Sequence, residues 1–198
     1  MDIILLGDPA AGKATQAAAL LKKYKLIDFD MGKELRKIQR GRGNAAIKNK
    51  LAKTLNKGKL TPTNIVRGIL KDKIYSAPKH KGILFDGTPK MISEAKLVAK
   101  WLRAVGRDRV YFLYLSIPDR EIIKRMSGRQ EYFKGKFSKR PDDNPAAMRR
   151  RIKYFRSGIK DVIKFFNQQY PHKQISGIGT KAEVHKKIVN ALNEFQAN

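Results

Sequence analysis

The chain has no cysteine in its 198 residues, so disulfides, thiolate metal sites and a cysteine nucleophile are all excluded. Histidine is nearly as scarce. His80, His172 and His185 stand apart from one another and from every motif below, so they read as surface residues rather than a metal or catalytic cluster. No apolar run approaches the roughly 20 residues of a membrane-spanning helix. The N-terminus lacks the charged start, apolar stretch and small-residue cleavage site of a signal peptide, and a cytoplasmic protein with no membrane partner is expected. Repeats, low-complexity tracts and long linkers are also missing. One domain carrying small insertions follows.

Acidic side chains are the other shortage: 44 lysines and arginines face 17 aspartates and glutamates, a formal charge of +27. The excess is concentrated. Residues 31–60 carry ten cations and one anion, and residues 120–160 carry fourteen and four. Cations gathered in this way suit a polyanionic ligand. Charge alone names no partner, however, and the rest of the excess fits either a solvated, lysine-rich surface or weak, salt-sensitive binding to nucleic acid. The solvated surface is the simpler reading.

Short apolar runs without alternation at Ile3–Leu6, Ile83–Phe85 and Val110–Leu115 read as strands buried on both faces. Leu26–Phe29 and Gln174–Ser176 complete a five-stranded parallel sheet. Helical periodicity predicts helices over Ala17–Tyr24, Asn64–Ile74, Ser93–Arg103, Asp119–Met126 and Pro145 to about Gln169. In that long helix Met148, Ile152, Phe155, Ile159, Val162, Ile163 and Phe166 line one face, and Thr180 caps a last helix ending near Phe195. Strands alternating with helices give a three-layer α/β/α sandwich. Two stretches interrupt the alternation. Residues 31–60 are helical and basic with a break at Gly41–Asn44, and Gln130–Lys139, QEYFKGKFSK, is expected to be a loop without helical or strand period.

The segment GDPAAGKATQ, Gly7–Gln16, follows the first apolar run directly and opens into the helix-favouring AAALL. Strand, small-residue loop and helix in that order make a cradle for a nucleotide triphosphate. Successive backbone N–H groups and a helix N-terminus converge on the anion, and Lys13 brings a full charge to the β and γ phosphates. The common pattern GxxxxGK[ST] places Ser or Thr after the lysine. Here Ala14 holds that place and Thr15 follows.

That departure resembles the loop GxxGxGKGTQ of the adenylate kinases, with Ala10 and Ala14 in place of two glycines. Five further segments, in order, are similar to that family. DMGKELR (Asp30–Arg36) resembles STGDMLR, and GILFDGTPKMISEA (Gly82–Ala95) resembles GFLLDGFPRTxxQA. IIKRMSGR supplies Arg125 and Arg129, KRPDDNPAAMRRRI supplies Arg140 and Arg151, and GIGT spans Gly177–Thr180. The resemblance covers the whole chain. It implies a P-loop NTPase fold with core residues 1–30, 61–129 and 141–198, an acceptor-binding flap over 31–60 and a short lid over 130–140. No cysteine means that the zinc-bearing lid of some relatives is absent. Flaps over a phosphate site exclude the water that would otherwise accept the phosphoryl group.

The resemblance also implies roles. Lys13, Arg125, Arg129, Arg140 and Arg151 would carry catalysis, the Arg125 side chain stacking on the donor adenine and the last three gripping phosphates as the lid closes. Planar guanidinium groups suit this because each binds two oxygens at once. ATP would be bound by Gly7, Ala10, Ala11, Gly12, Lys13, Ala14, Thr15, Arg125 and Gly179. Asp86, at a strand's carboxyl end, would hold waters around Mg²⁺; a structural aspartate capping the next turn is the alternative. Arg149 and Arg150 read as solvated, and Asp142 and Asp143 as ties at the lid base. No general base is needed, since the attacking phosphate oxygen is already deprotonated.

The acceptor site would use Met31, Arg36, Lys59, Leu60, Gly87, Lys90 and Glu94, and the departures from the family pattern collect there. Met31, Lys33, Thr88, Lys90 and Glu94 replace Thr, Asp, Phe, Arg and Gln. Lys90 keeps the charge and loses the fork. The family's glutamine can accept from adenine's amine and donate to a ring nitrogen, whereas a carboxylate only accepts, which suits cytosine or guanine at least as well. A solvent-facing Glu94 is the alternative. The expectation is a monomeric, Mg²⁺-dependent kinase making two ADP from ATP and AMP. A kinase for CMP or another monophosphate, and an ATP-binding protein of nucleic-acid or ribonucleoprotein assembly, are the alternatives. Seven assigned phosphate-binding cations leave about +20 that no pair of nucleotides needs. Tyr132, Phe133, Lys134, Lys136, Phe137 and Lys139 could mimic a single-strand surface, but lid aromatics that pack on closure are the simpler reading.

Overall fold

Alternation along the first strand decides the layering. The computed structural model describes residues 1–41, 63–128, 131–133, 136–138 and 145–197, and its β1, Asp2–Gly7, is buried throughout. Successive strand side chains point to opposite faces, so Ile4 and Leu6 enter one core while Ile3 and Leu5 enter the other. β1 is the centre of a five-stranded parallel sheet. The order is β2 (Ile27–Asp30), β3 (Ile83–Asp86), β1, β4 (Val110–Ser116) and β7 (His172–Ser176).

Parallel neighbours need crossovers, and helices supply them on both faces. On one face α3 (Thr63–Ser76), α4 (Ile92–Ala104) and α6 (Pro145–Gln169) bring Leu70, Val98, Leu102, Val162 and Phe166 against Leu6, Phe85 and Phe112. On the other, α1 (Lys13–Tyr24), α5 (Asp119–Ser127) and α7 (Lys181–Ala197) bring Leu20, Ile122, Ile188 and Leu192 against Leu5, Leu113 and Leu115. Because the chain passes from β3 to β4 across β1, the connections diverge at the carboxyl end of β1. A crevice opens at such a switch point, and ligands of open α/β sheets bind there.

All five expected strands and the three-layer arrangement are present, most elements running a residue or more beyond the periodic core, while β2 is shifted by one residue to Ile27–Asp30 and α6 has the expected ends. α1 starts at Lys13 instead of Ala17, because the helix begins inside the loop motif. In α6, Ile152, Ile159, Val162 and Phe166 are buried and Phe155 and Ile163 half-buried; the Met148 side chain lies outside the described residues. α2, Met31–Arg40, is capped by Asp30, whose carboxylate accepts from Lys33 N–H at 3.1 Å, and ends at Gly41. The remainder of the 31–60 expectation lies outside the described residues. The 130–139 expectation needs correction: β5 (Glu131–Phe133) and β6 (Lys136–Ser138) pair antiparallel with Tyr132 opposite Phe137. Three residues per strand are too few for a period to show in the sequence, and which residues stand opposite one another is decided only by register.

One buried ion pair ties the amino ends of the strands together. Asp2 accepts from Ile83 N–H at 2.7 Å and from Arg107 Nη1 at 2.9 Å, and Arg107 also donates to the carbonyls of Lys81, Ala77 and Pro78 at 3.0, 3.0 and 2.8 Å. Burial nonetheless holds the Asp2 carboxyl above its ordinary value, against the pull of Ile83 N–H and Arg107. Removing one partner of such a pair leaves an uncompensated charge. Arg107→Ala should therefore destabilise the fold by about 3–5 kcal/mol, which a thermal melt would record as a drop on the order of 10 °C in Tm.

Candidate active site

The loop after β1 is shaped by close approach and by left-handed backbone. A Cβ at Gly7 would lie 2.5 Å from the Leu115 carbonyl oxygen, so the chain can leave the sheet there only as glycine. Asp8 N–H donates to that same carbonyl at 2.8 Å. Gly12 then turns at φ 93 and Ala10 at φ 58. Glycine adopts this region freely, while the alanine that stands where the family pattern has glycine bears a cost of about 1–2 kcal/mol.

These turns aim the start of α1 at the crevice. Gly12 provides no side-chain cap and the first turn contains no acidic residue, so the positive end of the helix faces the loop with no carboxylate of its own first turn to neutralise it. Lys13 Nζ donates to the carbonyls of Gly7 at 2.7 Å and Asp8 at 2.8 Å. Ala11 is buried, and Ala14 and Thr15 are exposed on the first turn.

Two other segments close on this loop. Arg125 of α5, oriented by Glu121 at 2.7 Å, donates to the carbonyls of Ala10 at 3.4 Å and Gly177 at 3.1 Å. The 177–180 stretch is pressed against the loop: a Cβ at Gly177 would meet the Ala11 carbonyl at 2.9 Å. Gly179 at φ 120 leads into a capping box, Glu183 accepting from Thr180 N–H at 2.7 Å and Thr180 from Glu183 N–H at 3.2 Å. The structure therefore brings Lys13, Arg125 and Gly177 around one loop, with Gly179 two residues further along the same stretch.

The second half of the crevice is acidic at its floor. Asp30 and Asp86 are register partners at the carboxyl ends of β2 and β3. Burial first, then the neighbouring Asp30 and Asp28 charges, push the Asp86 carboxyl up to about 6, against the opposing pull of Lys13 and Lys33. Gly87, at φ 66, follows with its N–H on the Leu5 carbonyl at 2.9 Å, and a Cβ there would stand 3.9 Å from Lys13 Cε. Asp86, Gly87 and Lys13 are thus neighbours. Arg36 is exposed on α2, its guanidinium lying over Gly32 beside Asp30.

Glu94 is 4 % exposed, which overturns the solvent-facing alternative. Its Oε2 accepts from Lys90 N–H at 3.3 Å, so the side chain ties the loop after β3 to the start of α4, and burial raises its carboxyl above the ordinary value. Lys90 itself is exposed. Met31 departs from expectation in the other direction: it is buried in the core with Phe29 and Leu35. A thioether next to strand residues gains more from burial than from meeting a polar ligand. Lys59, Leu60, Arg129, Arg140, Asp142 and Asp143 lie outside the described residues. Arg151 is placed on α6 by its backbone alone. Arg149 is exposed, as expected.

A sequence model of the adenylate kinase family matches residues 5–170. The chain belongs to the adenylate kinase family. Curated adenylate kinases match over nearly their full length: that of Parabacteroides distasonis is 30% identical over 197 residues, 99% of this chain and 100% of that protein. The Bacteroides thetaiotaomicron protein is 30% identical over 98% of this chain and all of its own length, and the Geotalea daltonii protein 26% identical over 97% and 99%. Among the described residues of this adenylate kinase no helix is long and apolar enough to cross a membrane, and no group of three or more His, Asp or Glu could hold a metal alone.

Two features escaped the sequence reading. His185 is half-buried, with Nδ1 3.2 Å from Oε1 of Gln16, while Gln16 Nε2 donates to the Lys181 carbonyl at 3.0 Å, locking α1 to α7. The histidine therefore touches the loop motif after all, across a separation no local pattern shows. Asp8 is the second. Its carboxylate is 3 % exposed and accepts from Tyr114 OH and Ile117 N–H, each at 2.9 Å, with Arg156 beside it. A carboxylate inside a phosphate loop was itself the available signal, since it demands a cation.

The Asp86 shift has a sign. Between about pH 3.8 and 6 the folded protein keeps a proton that the unfolded chain has released, so stability falls as pH rises through that window. In protein free of metal and nucleotide, Asp86→Asn should raise Tm at about pH 7.5 and give no gain near pH 3.5. Melts at the two pH values check both halves of the statement.

Proposed function

We propose that this adenylate kinase transfers the γ-phosphoryl group of MgATP to AMP, giving two ADP, and acts as a monomer with residues 31–60 as acceptor flap and 130–140 as lid. The observation that carries the reading is the Lys13 ammonium resting on two loop carbonyls at the positive end of α1, with Arg125 on the same loop. Those carbonyls are weaker partners than a triphosphate. Lys13 exchanges them for β- and γ-phosphate oxygens, while the loop N–H groups cradle the anion where charge gathers in the transition state.

The donor side is completed by Gly7, Ala10, Ala11, Gly12, Ala14, Thr15 and Gly179, with Arg129, Arg140 and Arg151 arriving as the lid shuts out water. Arg36, Lys59, Leu60, Gly87, Lys90 and Glu94 hold the acceptor, and Met31 shapes its floor from the core. Asp86 fits Mg²⁺: a half-buried carboxylate, raised by desolvation and then by a second carboxylate, is relieved by a dication, and with no three-carboxylate cage among the described residues the ion would keep waters and phosphate oxygens. When bound, Mg²⁺ neutralises charge on the β and γ phosphates.

Lys13→Ala should lower kcat about a hundred- to thousandfold with the fold kept, because the half-buried lysine stands at the crevice and belongs to neither apolar core. A coupled assay with MgATP against AMP, CMP, UMP, GMP and no acceptor should give preferred turnover of AMP. ATP consumed equally without an acceptor would sink the reading in favour of the nucleic-acid alternative. Glu94→Gln, which restores a donor, should raise the AMP-to-CMP ratio of kcat/KM by about three- to tenfold, the worth of one hydrogen bond.

A further inference from the structure

Asp8 places a negative charge inside a loop whose other groups attract phosphate. Its carboxylate is turned toward the end of β4, where Tyr114 OH donates to Oδ1 and Ile117 N–H to Oδ2, each at 2.9 Å. Burial and the Asp8 charge together hold the Tyr114 hydroxyl protonated well above its ordinary range. Two neutral donors, one on each oxygen, leave the carboxylate's charge unbalanced. A charge buried without a counterion is costly, and this one also opposes an anionic ligand.

The counterion comes from far along the chain. Arg156 on α6 brings Nε to 3.6 Å from Asp8 Oδ1, pairs through Nη1 with Asp119 Oδ1 at 2.5 Å, and donates through Nη2 to the Ile117 carbonyl at 3.2 Å. One guanidinium thus joins the phosphate loop, the entrance of α5 and the body of α6. α5 leads into the 130–140 segment and α6 returns from it. Asp8 is also the residue whose carbonyl holds Lys13 Nζ at 2.8 Å. Its side chain and main chain therefore link Arg156 to the phosphate-binding lysine through a single residue.

We propose that Arg156 is a positioning residue for the donor nucleotide: it neutralises Asp8 and, through Asp8, holds the first peptide of the phosphate loop where Lys13 and the loop N–H groups meet the triphosphate. The proposal rests on the MgATP donor reading. The chemistry makes the pair asymmetric between substrates, because Asp8 and Arg156 sit on the loop and lid-arm side, whereas Asp86, Lys90 and Glu94 belong to the other half of the crevice. The Arg156 side chain is 38% exposed, so solvent screens the pair and a modest effect is expected.

The test is a charge cycle measured on the full chain, with KM for ATP, KM for AMP, kcat and Tm recorded for each variant. Arg156→Gln should raise KM for ATP about two- to fivefold, the scale of one part-exposed ion pair, with KM for AMP nearly unchanged. Arg156→Lys should recover part of the loss, since it keeps the charge and loses the fork. The deciding variant is Asp8→Asn combined with Arg156→Gln. The amide that this substitution introduces can accept from Ile117 N–H and donate to the Tyr114 hydroxyl, leaving no charge to balance, so KM for ATP should return toward the wild-type value.

An Arg156→Gln protein with unchanged KM for ATP would overturn the proposal. So would a double variant that fails to recover, or parallel rises in both KM values that track a fall in Tm, which is what a simple staple between helices would give. Should Arg156→Gln not fold, the same comparison between Arg156→Lys and its Asp8→Asn combination decides the matter. Wild-type protein without transfer activity would instead overturn the kinase reading itself, so the two failures are distinguishable.

Discussion

The ammonium of Lys13 rests 2.7 and 2.8 Å from the carbonyl oxygens of Gly7 and Asp8, and most of the surrounding architecture follows from keeping it there. The lysine must stand at the first position of α1, so the loop has to reverse within five residues of the strand. That reversal requires left-handed backbone at Gly12 and Ala10 and a missing Cβ at Gly7. The strand must be the middle one, with neighbours on both sides, so that its carboxyl end opens into a crevice instead of solvent. Helices on both faces then follow from burying a strand that is apolar on both sides.

Around this cation the protein arranges its few acids with care. Aspartate and glutamate are outnumbered more than two to one by lysine and arginine, yet Asp8, Asp28, Asp30 and Asp86 all lie near the crevice. Each is handled differently. Asp30 caps α2, Asp28 pairs with Lys33 at 2.6 Å, Asp8 is enclosed by Tyr114, Ile117 and Arg156, and Asp86 is left with a carboxyl raised to about 6. Of these four, the carboxylate kept under strain is the one a dication would relieve. Most of the described lysines take no part in these pairings and lie on exposed helix faces, as in a solvated surface.

The half of the crevice proposed for the acceptor shows how departures from a family pattern can be absorbed. Lys33 stands where the pattern has aspartate, and Asp28 receives its charge across one turn of chain. Glu94 stands where the pattern has glutamine, and the Lys90 N–H satisfies one of its oxygens inside the crevice wall. The first exchange keeps the local charge balanced, the second gives a carboxylate a neutral donor, and both change what a base or phosphate would meet. Met31 goes further and joins the core, packed with Phe29 and Leu35.

Local patterns carried much of this protein. Buried strands announce themselves as unbroken apolar runs because both faces are covered, and the phosphate loop is legible because backbone conformation, helix start and lysine are encoded within ten adjacent residues. The Thr180 and Glu183 capping box is local in the same way. What the sequence alone could not decide are the contacts whose partners are distant along the chain: Asp2 with Arg107, Gln16 with His185, and Asp8 with Arg156. A charged or polar side chain announces that it needs a partner, but not which one. That choice was made only when the sheet order brought the ends of β1, β3 and β4 together and laid α5, α6 and α7 across them.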